Sequence, residues 1–226
     1  MTMRRDIAKF EAVLFDCDGV LVDSEPITNG VLRQMLNEAG WALSAAECER
    51  IFIGKAVRDE AARIEAETGR PLTDAWMRAF YARRDERLRA ELQTVQGALD
   101  AVIAAHGHTA GRIACASGAD RPKVVMQIGM AGMAPYFGER IFSGHDQPRS
   151  KPHPDVYLAA AAHLGVDPVR CLVIEDTATG AQAGLAAGAT VWGYCQHGDG
   201  RAFEGLPVAR VMRHMAELAQ ALPALR

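Results

Sequence analysis

Short apolar runs separated by helical stretches, several of them leading into a polar residue, constrain this chain more than any other feature. The runs are Ala12-Val13-Leu14-Phe15, Arg112-Ile113-Ala114-Cys115-Ala116-Ser117, Arg140-Ile141-Phe142, Cys171-Leu172-Val173-Ile174 and residues 189–194, with a weaker one at 208–211. Short apolar runs rich in β-branched and aromatic residues read as buried strands. Helical patterns occupy 97–106, 121–130, 154–164 and 179–187. Strands alternating with helices predict an α/β fold: a doubly wound, Rossmann-like parallel sheet with helices on both faces. The helix around Ala181 is nearly all Ala and Gly, which suits close packing on a sheet rather than stability alone.

The alternation is interrupted once. From residue 26 to residue 92 there is no convincing strand, many charges, and helical patterns broken at Gly40, Gly54 and Gly69-Arg70-Pro71. Its last piece, 74–92, carries Trp76, Met77, Phe80, Tyr81, Leu88 and Leu92 near helical spacing, with Arg84 interrupting the stripe. Such a stripe reads as core. The expected organisation is a core of residues 1–24 and 95–226 around an inserted all-helical unit, 25–94, and 226 residues suffice for both.

The first run leads straight into Asp16-Cys17-Asp18-Gly19. Gly19 lets the chain turn sharply as it leaves the strand, so both aspartates sit at the carboxyl edge, where open α/β sheets bind ligands. Two like charges there need a cation or a proton. Asp and Gly are also ordinary turn residues. A calcium loop is ruled out, because Gly19 falls at its fourth position and Ile27 at its twelfth. Cys17 alternates away from the aspartates and reads as packing.

Three more polar positions follow later runs: Ser117-Gly118, Lys151-Pro152 and Glu175-Asp176. Singly, Ser117 could be a helix or turn cap, Lys151 a solvated charge, and Glu175-Asp176 a cap of the next helix. In a parallel sheet all these loops share one face. Up to four carboxylates there call for a divalent cation, and oxygen donors suit Mg2+. A hydroxyl, backbone N–H groups and an ammonium supply what a phosphate needs. Together they predict a Mg2+-dependent phosphoryl-transfer centre.

Composition narrows the partners. The formal net charge is −3 with acids and bases interspersed, so there is no basic footprint for nucleic acid or an anionic membrane surface. No apolar run reaches the roughly 20 residues of a membrane span, and the N-terminus lacks the apolar centre of a signal peptide. A cytoplasmic monomer or homodimer acting on a small phosphorylated molecule is expected. The five cysteines are scattered, with no C-x-x-C pair, so neither a zinc site nor a disulfide framework is indicated.

The ordered set Asp16-Cys17-Asp18-Gly19, Ser117, Lys151-Pro152 and Glu175-Asp176 resembles the four motifs of the haloacid dehalogenase-like hydrolase superfamily. Val20-Leu21-Val22-Asp23-Ser24-Glu25, and Val173-Ile174-Glu175-Asp176 followed by Gly180 and Gly188, resemble its sugar phosphatase and β-phosphoglucomutase subfamily. Ile141-Phe142-Ser143-Gly144-His145-Asp146 is similar to 6-phosphogluconate phosphatase-type members. The resemblance implies that Asp16 is the nucleophile and Asp18 the general acid and base. Ser117 and Lys151 would clamp the phosphoryl group, with Gly19 and Gly118 in the loops around it. Mg2+ would be held by Asp16, the main-chain carbonyl of Asp18, and Asp176, with Glu175 beside it. The helical insert would be a cap over the substrate.

Two departures bear on specificity. Many relatives carry Asn after the second-motif Ser, where this chain has Gly118. β-Phosphoglucomutases have a His near the cap hinge and a Lys before the cap Gly; here the positions read Pro26-Ile27-Thr28-Asn29 and Ile53. Hydrolysis is therefore expected over mutase chemistry. In the cap loop, Lys55 and Arg58 are candidates for the far end of the substrate, against the plainer reading of a solvated helix start. Phosphonoacetaldehyde hydrolysis through a Schiff-base lysine and a non-catalytic phosphometabolite-binding module are weaker alternatives.

Overall fold

The computed structural model describes residues 10–52, 55–196 and 200–222. The chain forms two compact units, one running to Val22 and resuming at Thr94, the other comprising Asp23–Gln93.

The first unit is built on six parallel strands: β1 (Ala12–Phe15), β4 (Ile113–Ser117), β5 (Ile141–Ser143), β6 (Cys171–Glu175), β7 (Thr190–Tyr194) and β8 (Arg210–Met212). Their spatial order is β5-β4-β1-β6-β7-β8. The chain moves outward from β1 to one edge, then returns to lay β6 on its other side. This is the doubly wound order, with its switch point beside β1. Val13 pairs with Ile113 on one side and with Leu172 on the other, so the carboxyl ends of β1, β4 and β6 lie together.

Period-two alternation gives the central strands β1, β4 and β6 two buried faces. Ala12, Leu14, Ala114, Ala116, Val173 and Val191 pack with residues of α8 (Asp155–Leu164) and α9 (Ala178–Ala186). Phe15 points the other way and meets Phe137 of α7 (Ala134–Phe137) edge-on, with ring centroids 6.0 Å apart. The remaining helices of this unit are α5 (Ala98–His108), α6 (Arg121–Met130) and α10 (Ala216–Ala221). The short strands β2 (Val22–Asp23) and β3 (Gln93–Thr94) pair in a separate sheet. Two-residue strands carry no readable alternation, and α7 and α10 are too short to declare a helical period.

The second unit holds α1 (Glu25–Glu38), α2 (Ala45–Phe52), α3 (Ala61–Thr68) and α4 (Asp74–Glu91). Local chemistry sets their ends. Ser44 and Glu47 form a capping box before α2, with Ser44 N donating to Glu47 Oε2 at 2.9 Å and Glu47 N to Ser44 Oγ at 3.3 Å. Thr73 Oγ1 accepts from Trp76 N at the start of α4. The core of this unit includes Leu32, Leu36, Trp41, Phe52, Ile64, Met77 and Phe80. One expectation is corrected here. Arg84 does not interrupt the α4 stripe: Met77, Phe80, Arg84 and Leu88 are all buried. Its guanidinium lies 4.7 Å over the Tyr81 ring and 2.7 Å from Asp85. A flat cation on a long apolar stem can continue a buried face. Among the described residues, no helix is long and apolar enough to cross a membrane.

Candidate active site

β1 delivers Asp16 to the sheet edge, where its N–H donates to Ile174 O of β6 at 3.0 Å. The chain then turns, Leu21 N reaching Cys17 O at 2.9 Å and Gly19 N reaching Val22 O at 2.8 Å. Gly19 has φ +77°, and a Cβ there would lie 2.0 Å from Asp176 Oδ2. A side chain at this position is both strained and in collision with an acid of the site.

Lys151 follows β5 and precedes Pro152 through a cis peptide bond. Its Nζ lies 2.6 Å from Asp16 Oδ1 and 2.6 Å from Glu175 Oε1, and 4.8 Å over the Tyr157 ring. With its side chain 10% exposed, it is not a solvated charge. Burial acts to lower the Lys151 pKa, but the Asp16 and Glu175 carboxylates hold it well above the usual lysine value. Burial pushes the Asp16 carboxyl up to about 7; the Lys151 ammonium opposes this, and the Glu175 and Asp18 charges add to it.

Glu175 ends β6 as a hub. Oε1 accepts from Lys151 and from Tyr157 OH at 2.9 Å. Oε2 accepts from Asp176 N, Thr177 N and Thr177 Oγ1 at 3.0–3.1 Å. Thr177, not either acid, caps α9, its Oγ1 accepting from Gly180 N. A Cβ on Gly180 would come within 1.6 Å of Glu175 Oε1, so the glycine leaves room for that carboxylate.

Oxygens of Asp16, Glu175 and Asp176 lie within 4.8 Å of one another. The donors are all carboxylate, the buried Asp16 charge is poorly offset, and Gly19 leaves the space that Asp176 fills. This set fits a hard divalent cation such as Mg2+. The Asp18 carboxylate is not part of the cluster.

Asp18 is instead held from the other side. Lys123 Nζ lies 2.7 Å and Gln127 Nε2 3.0 Å from Asp18 Oδ1, and Ser117 Oγ lies 3.5 Å from Asp18 Oδ2. Ser117 Oγ also accepts from Ala119 N at 3.0 Å. The cap of α6 is Asp120, accepting from Lys123 N, so Ser117 is not a helix cap. Gly118 borders open space, with nothing within 4 Å of an added Cβ. Cys17 is buried, its Sγ 3.5 Å from Gln127 Oε1, to which it donates. The neighbouring Cys115 thiol and burial raise the Cys17 pKa well above the ordinary value, keeping it a thiol rather than a nucleophile.

The fold therefore brings together Asp16, Asp18, Gly19, Ser117, Gly118, Lys151, Glu175 and Asp176. Lys55 and Arg58 belong to the second unit, where each makes an exposed ion pair, Lys55 with Glu60 at 2.8 Å and Arg58 with Asp74 at 2.9 Å. Exposed pairs of this kind are weak ties. Ile53 and Gly54 lie outside the described residues. Lys123, Gln127, Tyr157 and Thr177 were not anticipated. The available signal was the four-residue spacing of Lys123 and Gln127, which sets both on one face of a helix.

Comparison with known proteins identifies the family. A family model of haloacid dehalogenase-like hydrolases matches residues 10–188. The chain is 33% identical to the 6-phosphogluconate phosphatase of Escherichia coli over 190 residues, 84% of each protein. It resembles the crystal structure of a hydrolase of this family from Deinococcus radiodurans with bound phosphate and sodium. The two share 35% identity at a TM-score of 0.73 over 95% of this chain and 98% of that one. A haloacid dehalogenase-like protein of unknown function from Agrobacterium tumefaciens has 30% identity and a TM-score of 0.76 over 96% and 99%. With a family match that spans most of the chain and a relative 33% identical over most of its length, this protein belongs to the haloacid dehalogenase-like hydrolases.

Proposed function

We propose that the chain is a Mg2+-dependent phosphatase that hydrolyses a small phosphorylated sugar or sugar acid through an aspartyl-phosphate. One observation carries this reading: two aspartates of a single turn are held in different ways. Asp16 is bound to Lys151 within the acidic cluster, whereas Asp18 is bound to Ser117, Lys123 and Gln127. Two carboxylates in different settings suit two roles, nucleophile and proton carrier.

In this reading an Asp16 carboxylate oxygen attacks phosphorus, forming the acyl-phosphate O–P bond as the ester P–O bond breaks. Asp18 gives its proton to the departing sugar oxygen. Asp18, now a carboxylate, takes a proton from water, whose oxygen attacks phosphorus and releases Asp16 and phosphate. Such acid–base help is worth about 10²–10⁴-fold. Lys151 and Ser117 hold phosphoryl oxygens and balance their charge during transfer. Asp16, the Asp18 carbonyl and Asp176 would hold Mg2+, with Glu175 beside them; when bound, the ion offsets charge at the carboxylate cluster and on the phosphoryl group. The helical second unit is read as a cap, with Lys55 and Arg58 as candidates for the far end of the substrate. The 6-phosphogluconate phosphatase relative makes a carboxylated sugar phosphate the first compound to try.

The test is Mg2+-dependent phosphate release across 6-phosphogluconate, hexose 6-phosphates, glycerol phosphates and β-glucose 1-phosphate, with Asp16→Asn as the blank. Release from one compound by the parent and none by the variant is the expected result. Substantial release by Asp16→Asn overturns the nucleophile. Conversion of β-glucose 1-phosphate to glucose 6-phosphate without net release would identify a mutase instead.

A further inference from the structure

The phosphatase reading leaves two buried polar side chains of α6 without a role. Lys123 and Gln127 are 4% and 0% exposed, on a helix whose Val124 and Ile128 are fully buried apolar residues. Burying an ammonium and an amide is costly, and an apolar pair would pack α6 at least as well. Both donate to one atom, Asp18 Oδ1, from 2.7 and 3.0 Å.

Each donor is itself fixed. Lys123 sits in the first turn of α6, and its N–H donates to the N-cap Asp120 Oδ1 at 3.2 Å. Gln127 follows one turn later on the same face. Its Nε2 faces the Asp18 carboxylate, and its Oε1 lies 3.5 Å from the Cys17 thiol.

We propose that Lys123 and Gln127 are positioning residues of the phosphatase reaction, holding the Asp18 carboxylate by Oδ1 in the orientation that meets the leaving oxygen and, later, the attacking water. The proposal rests on the reading of Asp18 as proton carrier. It assigns neither side chain a contact with the substrate. Their loss lowers the rate only where Asp18 acts.

The experiment uses the full chain with Mg2+, the sugar phosphate that it hydrolyses, and 2,4-dinitrophenyl phosphate, whose phenolate departs without a proton. kcat/KM reports steps up to loss of the leaving group. Lys123→Met and Gln127→Leu should lower kcat/KM on the sugar phosphate by about tenfold or more, within the range of acid–base help. On the aryl phosphate the loss should be several times smaller. In the Asp18→Asn background, adding Lys123→Met should lower kcat no further, because residues that act as one unit are not additive. Asp18→Asn/Lys123→Met removes both charges together, so it and Gln127→Leu carry the test if Lys123→Met alone does not fold. Equal losses on both substrates, or a full additional loss on the Asp18→Asn background, overturn the positioning role while leaving the phosphatase reading in place. A parent that releases phosphate from no compound overturns both.

Discussion

The Glu175 carboxylate accepts from five donors, supplied by Lys151, Tyr157, Asp176 and Thr177. Charge-assisted bonds of this kind are about twice as strong as neutral ones. Gly180 is the space that this carboxylate needs. Gly180→Ala should therefore displace the carboxylate or α9 and cost about 1–3 kcal/mol, the usual penalty of overpacking. Urea unfolding reads that loss, and phosphate release should fall with it as Lys151 is pulled from Asp16. A variant with parental stability and rate would show that Glu175 can move without consequence. At this scale the sequence was most informative where a polar residue ended an apolar run, as at Asp16, Ser117 and Glu175. For Lys123 and Gln127 it offered only their four-residue spacing. Their link to Asp18 spans more than a hundred residues, and a lone Lys in a helix ordinarily reads as surface.

Two helices turn those residues into a site. α9 begins at Thr177, whose hydroxyl both caps the helix and donates to Glu175. Thr177→Ala removes both bonds and should cost about 1–2 kcal/mol, while Thr177→Ser should restore most of it. Thermal or urea unfolding of the two variants checks this. Equal losses for Ala and Ser would place the effect in the methyl group rather than the hydroxyl. α6 is capped by Asp120, which frees Ser117 to face Asp18. The larger core strands and helices were legible because buried runs and helical periods are local. Element ends shift by a residue or two, as capping decides them. Arg84 was misread because charge alone does not say whether a guanidinium has a ring to lie against.

Across the whole molecule, three carboxylates from two strand ends lie within 4.8 Å, and their repulsion opposes folding until a cation offsets it. Mg2+ at a hundred times its dissociation constant should raise stability by about 2.7 kcal/mol, or roughly 5–10 °C in Tm for a chain of this size. Asp176→Asn should lose most of that shift, and a chelator should reverse it in the parent. Differential scanning calorimetry with and without the metal decides; an unchanged Tm at millimolar Mg2+ would count against a resident ion. The sequence by itself determined the α/β class, the helical insertion and the residues ending each strand, because hydrophobic period and chain order are local properties. Only the tertiary structure decided which of those side chains lie within reach of one another. Those pairings are set by the order in which parallel strands lie side by side, and β1 gains as neighbours β4 and β6, both remote from it in sequence.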